Sequence, residues 1–159
     1  MCRNIIVADN GIGFDDENFN RLKVFKDDTK GYENRGSGRI QLIHSFITAT
    51  YESIYKQDGI YKFRKFILSR AESFLQQNSI LRLEKDVNAD DNSEIKTILR
   101  LDDLRTKSDI KFFNSQEIQD IKETILDHYI LYFCLNKSCL PEIVINYYHN
   151  TNIIATRTI

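Results

Sequence analysis

Two short segments carry residue types that could together bind a phosphorylated ligand. Residues 9–13 have the sequence Asp-Asn-Gly-Ile-Gly and directly follow a short apolar run. Residues 35–39 have the sequence Arg-Gly-Ser-Gly-Arg and directly precede a stretch with apolar residues at helical spacing. Glycines before a helix let the backbone approach a phosphate, and the helix N-terminus offers free N–H groups and a positive dipole end. An acidic turn followed by a glycine-rich helix start indicates a nucleotide held at both ends.

The first segment taken alone has a simpler explanation. Asn and Gly tolerate positive φ, so Asp-Asn-Gly is typical of a strand that ends in a tight turn. It is the second segment that favours a binding function over a plain turn. The chain has no G-x-x-x-x-G-K-[ST] sequence, which excludes a Walker-type nucleotide site.

Both segments resemble motifs of the GHKL superfamily, the ATPases of the gyrase B, Hsp90, histidine kinase and MutL type that share the Bergerat fold. Residues 9–13 are similar to its DxGxG box, and residues 35–39 are similar to its second glycine box, which closes the ATP lid. The resemblance covers most of the chain, because strands and a late helix follow in the expected order. It implies a cytoplasmic ATP-binding domain, like those of histidine kinases and Hsp90, that uses ATP with Mg²⁺ as a conformational switch.

The resemblance also implies roles for individual residues. Asp9 would accept a hydrogen bond from the adenine amino group, because a carboxylate suits an amine donor. Gly11 and Gly13 would let the backbone pass close to the base and the sugar. Thr97 stands where the third family box has a threonine, although Lys96 replaces the glycine that precedes it. The residues implied at the phosphates, as backbone donors or as cations, are Lys30, Arg35, Gly36, Ser37 and Gly38.

Several of these assignments have plainer alternatives. Lys30 and Arg35 belong to a polar loop or its end, where charges are often simply solvated. Glu33 stands three residues before Gly36, where the family often has a glycine, so the backbone path of the lid is not fixed by the resemblance. A threonine on a strand face, such as Thr97, needs no binding function at all.

The start of the chain departs from the family. Only four residues precede the apolar run at residues 5–8, whereas the family has a strand and a long helix before its DxGxG box. That helix carries the general base and an asparagine that holds magnesium. We therefore expect a chain that lacks this part, with no catalytic residue to assign and negligible ATP turnover. The alternative function is a non-catalytic α+β interaction module that keeps the fold without nucleotide turnover.

The composition is that of an ordinary globular protein. The chain has 159 residues, of which 42% are apolar and 28% are charged, and its formal net charge is −1. This length favours one domain with its own core, and the charge balance does not indicate nucleic acid as a partner. Three cysteines without ligand spacing predict free thiols. No segment has the apolar length of a membrane span, so no membrane partner is expected. The partners that the resemblance implies are adenine nucleotide and either a second copy, forming a homodimer, or a partner protein.

The apolar periodicity predicts the elements and the fold class. Predicted helices lie at residues 15–22, 38–47, 69–78 and, capped by Asn114 with Glu117, 114–135. Predicted strands are a buried one at 5–8 and hairpins of 48–55 with 60–68, 80–87 with 94–101, and 143–148 with 153–156, the last at the sheet edge. The last helix is expected to bury Ile118, Ile121, Ile125, Tyr129 and Tyr132 or Phe133. The class is α+β: a two-layer sandwich whose mainly antiparallel sheet is covered on one face by helices, which is the Bergerat fold without its first strand and base-bearing helix.

Overall fold

A computed structural model describes residues 2–24, 38–135, 142–149 and 151–159. The helices are α1 (Asp16–Lys23), α2 (Gly38–Ser45), α3 (Glu72–Leu75), α4 (Lys107–Ser115) and α5 (Ile118–Leu135). The strands are β1 (Asn4–Asp9), β2 (Phe46–Gln57), β3 (Ile60–Ser69), β4 (Leu81–Asn88), β5 (Lys96–Leu104), β6 (Val144–His149) and β7 (Asn152–Thr158). The chain divides into two compact units, Met1–Ile110 and Lys111–Ile159. The single domain favoured by the chain length stays a prediction.

The first unit is built on a five-stranded sheet in the order β1-β5-β2-β3-β4. Each neighbouring pair of strands in this sheet is antiparallel. Together with the helices, this confirms the predicted α+β class and fits a two-layer sandwich. Residues opposite each other in an antiparallel pair point to the same face. The register therefore shows which side chains share a face of the sheet.

The central hairpin forms as predicted. Asp58 and Gly59 join β2 to β3, and their φ angles are 52° and 83°. Two consecutive residues with positive φ give the turn whose twist matches that of the flanking strands. Helix α2 ends at Ser45, two residues earlier than predicted, because Phe46 already begins β2. Phe46 is buried there, so packing of the strand outweighs the helical spacing of this residue.

The predicted hairpin of residues 80–87 with 94–101 is wrong. Strand β4 pairs with β3, whereas β5 lies between β1 and β2. Both strands alternate apolar and charged residues, and this pattern marks a half-buried strand without naming its partner. The predicted burial of residues 5–8 is also wrong. β1 is an edge strand, and Ile6 and Val7 are 57% and 49% exposed.

Aromatic rings fill the space between α1 and the sheet. Phe66 of β3 is fully buried and stacks on Tyr51 of β2, with ring centroids 4.7 Å apart. Phe14 meets Phe66 edge-on at 5.1 Å, and Phe19 of α1 lies 5.0 Å from it. Asp15 caps α1 by accepting a hydrogen bond from the Asn18 backbone N–H at 2.8 Å. This cluster fixes the chain that follows the first glycine segment against the inner face of the sheet, which is the face toward α1.

The N-cap predicted at Asn114 is wrong, because Asn114 lies inside a helix that the sequence reasoning missed, α4. Thr106 and Asp109 form the actual capping box: the Asp109 carboxylate accepts from the Thr106 N–H at 3.1 Å, and the Thr106 hydroxyl accepts from the Asp109 N–H at 3.0 Å. Asp120 accepts from the Glu117 N–H at 2.9 Å and so caps α5. The Thr-x-x-Asp spacing was the available signal for α4.

The second unit joins α5 to a hairpin of β6 and β7. The hairpin is confirmed, but it forms a separate two-stranded sheet instead of an edge of the main one. Lys122 donates to the Thr158 carbonyl at 3.0 Å, and Arg157 donates to the Gln119 side chain at 3.3 Å. None of the described residues of α5 is fully buried, so the predicted stripe is buried only in part. Tyr129 and Tyr132 are exposed, whereas the other members are half-buried: Ile118, Ile121, Ile125 and Phe133. No helix in the described part of the chain is both long and apolar enough to cross a bilayer.

Candidate functional site

Asp9 ends β1 and begins the turn of the first glycine segment. Its Oδ1 accepts a hydrogen bond from the Gly11 backbone N–H at 2.9 Å, which fixes the direction of the carboxylate. A Cβ on Gly11 would lie only 2.9 Å from that same oxygen. Asp9 is exposed, and within the described residues this is the only hydrogen bond of its side chain. One carboxylate oxygen is therefore oriented and the other is open to a donor.

Gly13 passes closely over the sheet. Its φ is +79°, and a Cβ there would lie 2.8 Å from Ser53 Oγ, 2.9 Å from Tyr55 Cβ and 3.0 Å from the Ile54 carbonyl. Both the backbone angle and the contact with β2 therefore require glycine. The sequence reasoning predicted a close approach at this residue but assigned it to the ligand, whereas the neighbour that the structure places there is β2.

A pair of buried hydroxyls lies beneath the turn. Ser53 Oγ accepts a hydrogen bond from the Phe14 N–H at 2.9 Å and shares another with Thr97 Oγ1 at 3.0 Å. Thr97 pairs in register with Asp9, so both side chains lie on the same face of the sheet. The structure thus brings together Asp9, Gly11, Gly13 and Thr97 of the predicted site. Ser53 was missed, because one serine in a long strand carries no sequence signal.

Arg64 of β3 is a second residue that sequence reasoning missed. It is only 2% exposed. Its Nη1 donates to the carbonyls of Phe14 and Asp15 at 2.9 and 3.0 Å, and its Nη2 donates to Asp16 Oδ1 at 2.5 Å. Nη2 and Nε also donate to Asp86 Oδ2, at 2.7 and 3.1 Å. The guanidinium therefore connects the segment after the turn to β4 at the far edge of the sheet.

Hydrogen bonds, charges and burial shift the pKa values of Asp16, Tyr55 and Arg64. The hydrogen bond from Arg64, followed by one from Gln57, holds the pKa of Asp16 below its usual value. Burial raises the pKa of Tyr55 to about 12. Burial also lowers the pKa of Arg64, but the hydrogen bonds to Asp16 and Asp86 outweigh this effect and raise it overall. Arg64 is thus a permanent cation with two carboxylate partners.

Most of the predicted phosphate end lies outside the described residues. This applies to Lys30, Arg35, Gly36 and Ser37. Gly38 is the first residue of α2, as the predicted helix start requires. The described residues contain no group of three His, Cys, Asp or Glu side chains that could hold a metal ion.

The opposite, outer face of the main sheet offers no comparable site. A shallow cavity of about 380 Å³ lies there, lined by Ile6, Thr50, Glu52, Lys65, Ile98, Arg100 and Asp102. Its charges are already paired: Lys65 with Glu52 at 2.6 Å and Arg100 with Asp102 at 2.9 Å. A charged ligand there would have to displace an existing ion pair, whereas Asp9 has an open oxygen.

No protein-family model matches the chain, and a search of curated proteins also gives no match.

Proposed function

We propose that the chain is an adenine-nucleotide-binding domain of the GHKL type, in which ATP acts as a conformational switch in the cytoplasm. The observation that carries this proposal is the exposed Asp9 carboxylate, which is oriented by the Gly11 N–H and lies on the same sheet face as Thr97. The resemblance of residues 35–39 to the second glycine box supports it independently.

At the 6-position of the base, a carboxylate such as that of Asp9 favours adenine over guanine. A carboxylate accepts hydrogen bonds only, and the 6-amino group of adenine is a donor. Guanine has a carbonyl at the equivalent edge, which would face the carboxylate oxygen without a proton between them. Covering Asp9 with a base also removes water from its open oxygen, and this cost is repaid only by a donor. Adenine nucleotides should therefore bind more tightly than guanine nucleotides.

The phosphate end of this proposal rests on the second glycine segment and on the start of α2. Backbone N–H groups at residues 36–38 would hold the phosphates, with Lys30 and Arg35 as cations. Thr97 would support the adenine end through Ser53, its hydrogen-bond partner at 3.0 Å. Mg²⁺ enters the proposal only as the ion that accompanies the phosphates, and no step is assigned to it.

Calorimetric titration tests the proposal. ATP, GTP and adenosine are titrated into the wild-type chain, Asp9→Asn and the control Asp102→Asn, whose carboxylate lies on the outer face and pairs with Arg100. We expect the wild type and the control to prefer ATP, and Asp9→Asn to lose about tenfold or more in ATP affinity, as for a hydrogen bond to a charged group. Equal affinity of the wild type for ATP and GTP would overturn the role of Asp9.

Exposed apolar surface favours a second candidate function, an interaction module without nucleotide turnover. On the first unit, Ile6 and Val7 of β1 and Ile12 of the turn are exposed. On the second unit, Leu131 and Leu135 of α5 are exposed, the latter to 84%. Large exposed apolar groups are a feature of protein-binding surfaces. Absence of heat with every nucleotide, together with a mass that rises with concentration in sedimentation velocity, would favour this function over the first.

A further inference from the structure

We infer that Arg64 is a positioning residue for the turn at residues 9–13, and that it controls how well Asp9 distinguishes adenine from guanine. The part of the inference that concerns ligand preference rests on the proposed function. The part that concerns the turn itself does not, because it can be measured on the protein without any nucleotide. The two parts can therefore fail separately.

Arg64 donates hydrogen bonds to four groups of other residues. Its guanidinium accounts for the carbonyls of Phe14 and Asp15, the Asp16 carboxylate and the Asp86 carboxylate, all at 2.5–3.1 Å. Three of these four groups belong to the three consecutive residues that follow Gly13. One side chain of β3 thus fixes the exit of the turn and the start of α1.

The second step is why this position needs arginine. The planar guanidinium can donate in several fixed directions at once, whereas a lysine ammonium is a compact point charge. The Arg64 guanidinium also lies between two rings, 4.6 Å from the centroid of Phe19 and 4.9 Å from that of Tyr55. The Arg64 side chain is almost fully buried, so water screens its contacts less than on the surface, although the Asp16 carboxylate remains half exposed. Lysine could replace the charge but not the five simultaneous hydrogen bonds to four groups.

The third step connects Arg64 to Asp9. Phe14 is held at its N–H by Ser53 and at its carbonyl by Arg64, both at 2.9 Å. On the other side, Asp9 is held by its pairing with Thr97 in β5. Between these two anchors lie only residues 10–13, and the Gly11 N–H among them orients the Asp9 carboxylate. Loss of the Arg64 anchor should therefore allow the turn to move and the Asp9 carboxylate to reorient.

The fourth step separates this role from ordinary stabilisation. Removal of a residue that only stabilised the sheet would change the hydrogen-exchange protection of all buried amides together. A positioning residue should change the Phe14 amide more than an amide in the sheet centre, such as that of Ala49, which is fully buried in β2. The informative quantity is thus the ratio of the exchange protection at Phe14 to that at Ala49, because a general loss of stability lowers both and cancels from the ratio.

The experiment measures amide hydrogen exchange by NMR on the full chain without nucleotide. The variants are Arg64→Met, Arg64→Lys and the control Lys65→Met, which removes the neighbouring cation on the outer face and its ion pair with Glu52. We expect both Arg64 variants to lose about tenfold or more in protection at Phe14 beyond any change at Ala49, the size expected for hydrogen bonds to a charged group. Lys65→Met should leave this ratio unchanged. An unchanged ratio in both Arg64 variants would overturn the inference.

A second variant covers the case in which the Arg64 variants do not fold. Asp16→Ala removes one partner whose side chain is half exposed, so the core stays intact. It should lower the Phe14 protection relative to Ala49 in the same direction, by a smaller factor. Equal protection in Asp16→Ala and the wild type would count against the inference.

The nucleotide arm then tests the consequence for ligand preference. The ratio of the ATP and GTP dissociation constants is measured for the wild type, Arg64→Lys and Lys65→Met. We expect the preference for ATP to fall toward equality in Arg64→Lys and to remain in Lys65→Met. An ATP preference in Arg64→Lys equal to that of the wild type would overturn the link to Asp9. Absence of nucleotide binding in the wild type would instead overturn the proposed function and leave the exchange result to decide the role of Arg64.

Discussion

The tight passage of Gly13 over β2 predicts a large and specific cost for a single methyl group. In Gly13→Ala, the new Cβ would lie 2.8–3.0 Å from Ser53 Oγ, Tyr55 Cβ and the Ile54 carbonyl. Two of these atoms belong to backbone or to the root of a side chain, so they cannot move aside cheaply. The φ of +79° adds a separate cost for any residue with a Cβ.

The two costs can be estimated and then separated by a control. Positive φ costs an alanine about 1–2 kcal/mol, and an overpacked methyl costs about 1–3 kcal/mol. Gly13→Ala should therefore lower the free energy of unfolding by about 2–5 kcal/mol. Gly59 has a similar φ of +83° but has no atom within 4 Å of its Cβ position. Gly59→Ala should therefore show only the first cost, about 1–2 kcal/mol.

Urea denaturation followed by circular dichroism measures both variants against the wild type. The difference between Gly13→Ala and Gly59→Ala isolates the contact with β2, because both residues have left-handed backbone angles. Equal losses in the two variants would show that the turn does not approach β2 as closely as the structure has it. That result would also mean that residues 10–13 are not held tightly between the anchors at Asp9 and Phe14.

Three further predictions concern titration and turnover. Because the pKa of Tyr55 is raised to about 12 in the folded protein, the unfolded chain loses this phenolic proton at lower pH than the folded one. The free energy of unfolding should therefore fall between about pH 10 and about pH 12, with a slope of up to about 1.4 kcal/mol per pH unit. This slope should be absent in Tyr55→Phe. Because the pKa of Asp16 is lowered in the folded protein, its contribution to the free energy of unfolding is present above about pH 4 and should be lost at more acidic pH. Asp16→Asn should remove this pH dependence from acid unfolding curves. Identical curves for the variant and the wild type would contradict the prediction. The side chain of Glu17, the first described glutamate after the turn, is 80% exposed and could not hold a water in line, so Glu17 should not act as a general base for ATP hydrolysis. Phosphate release at saturating ATP and Mg²⁺ that disappears in Glu17→Gln would refute this.

Local signals in the sequence predicted local structure well. Asp58 and Gly59 gave the turn of the β2–β3 hairpin, because the residues that set its geometry are adjacent in the chain. Asp15 is the N-cap of α1, so the helix begins within one residue of the predicted start. Thr106 and Asp109 show that a further local signal, the capping box of α4, was present and was missed.

Long-range partners could not be predicted in this way. Apolar and charged residues alternate in β4 and β5, which marks both as half-buried strands. The same alternation would result if β4 and β5 paired as a hairpin or if, as observed, β2 and β3 lay between them. Arg64 is a similar case. It lies among aromatic and charged residues that point to both faces of β3, and its burial depends on Asp16 and Asp86, which are far from it in sequence. The Asp9 turn was predicted because its chemistry is contained in five consecutive residues.

The two edges of the main sheet differ in a way that bears on both candidate functions. β4 has four consecutive positions from Arg82 to Lys85 of which three are charged, and its pairing with β3 is irregular between Lys65 and Phe66. Charges and irregular pairing are the devices by which edge strands avoid unwanted pairing. β1 pairs regularly with β5 and has no charge between Asn4 and Asp9, so it lacks these devices. A strand that paired with β1 would lie next to Asp9, and binding of such a partner would therefore be coupled to the orientation of the carboxylate on which the proposed adenine preference depends.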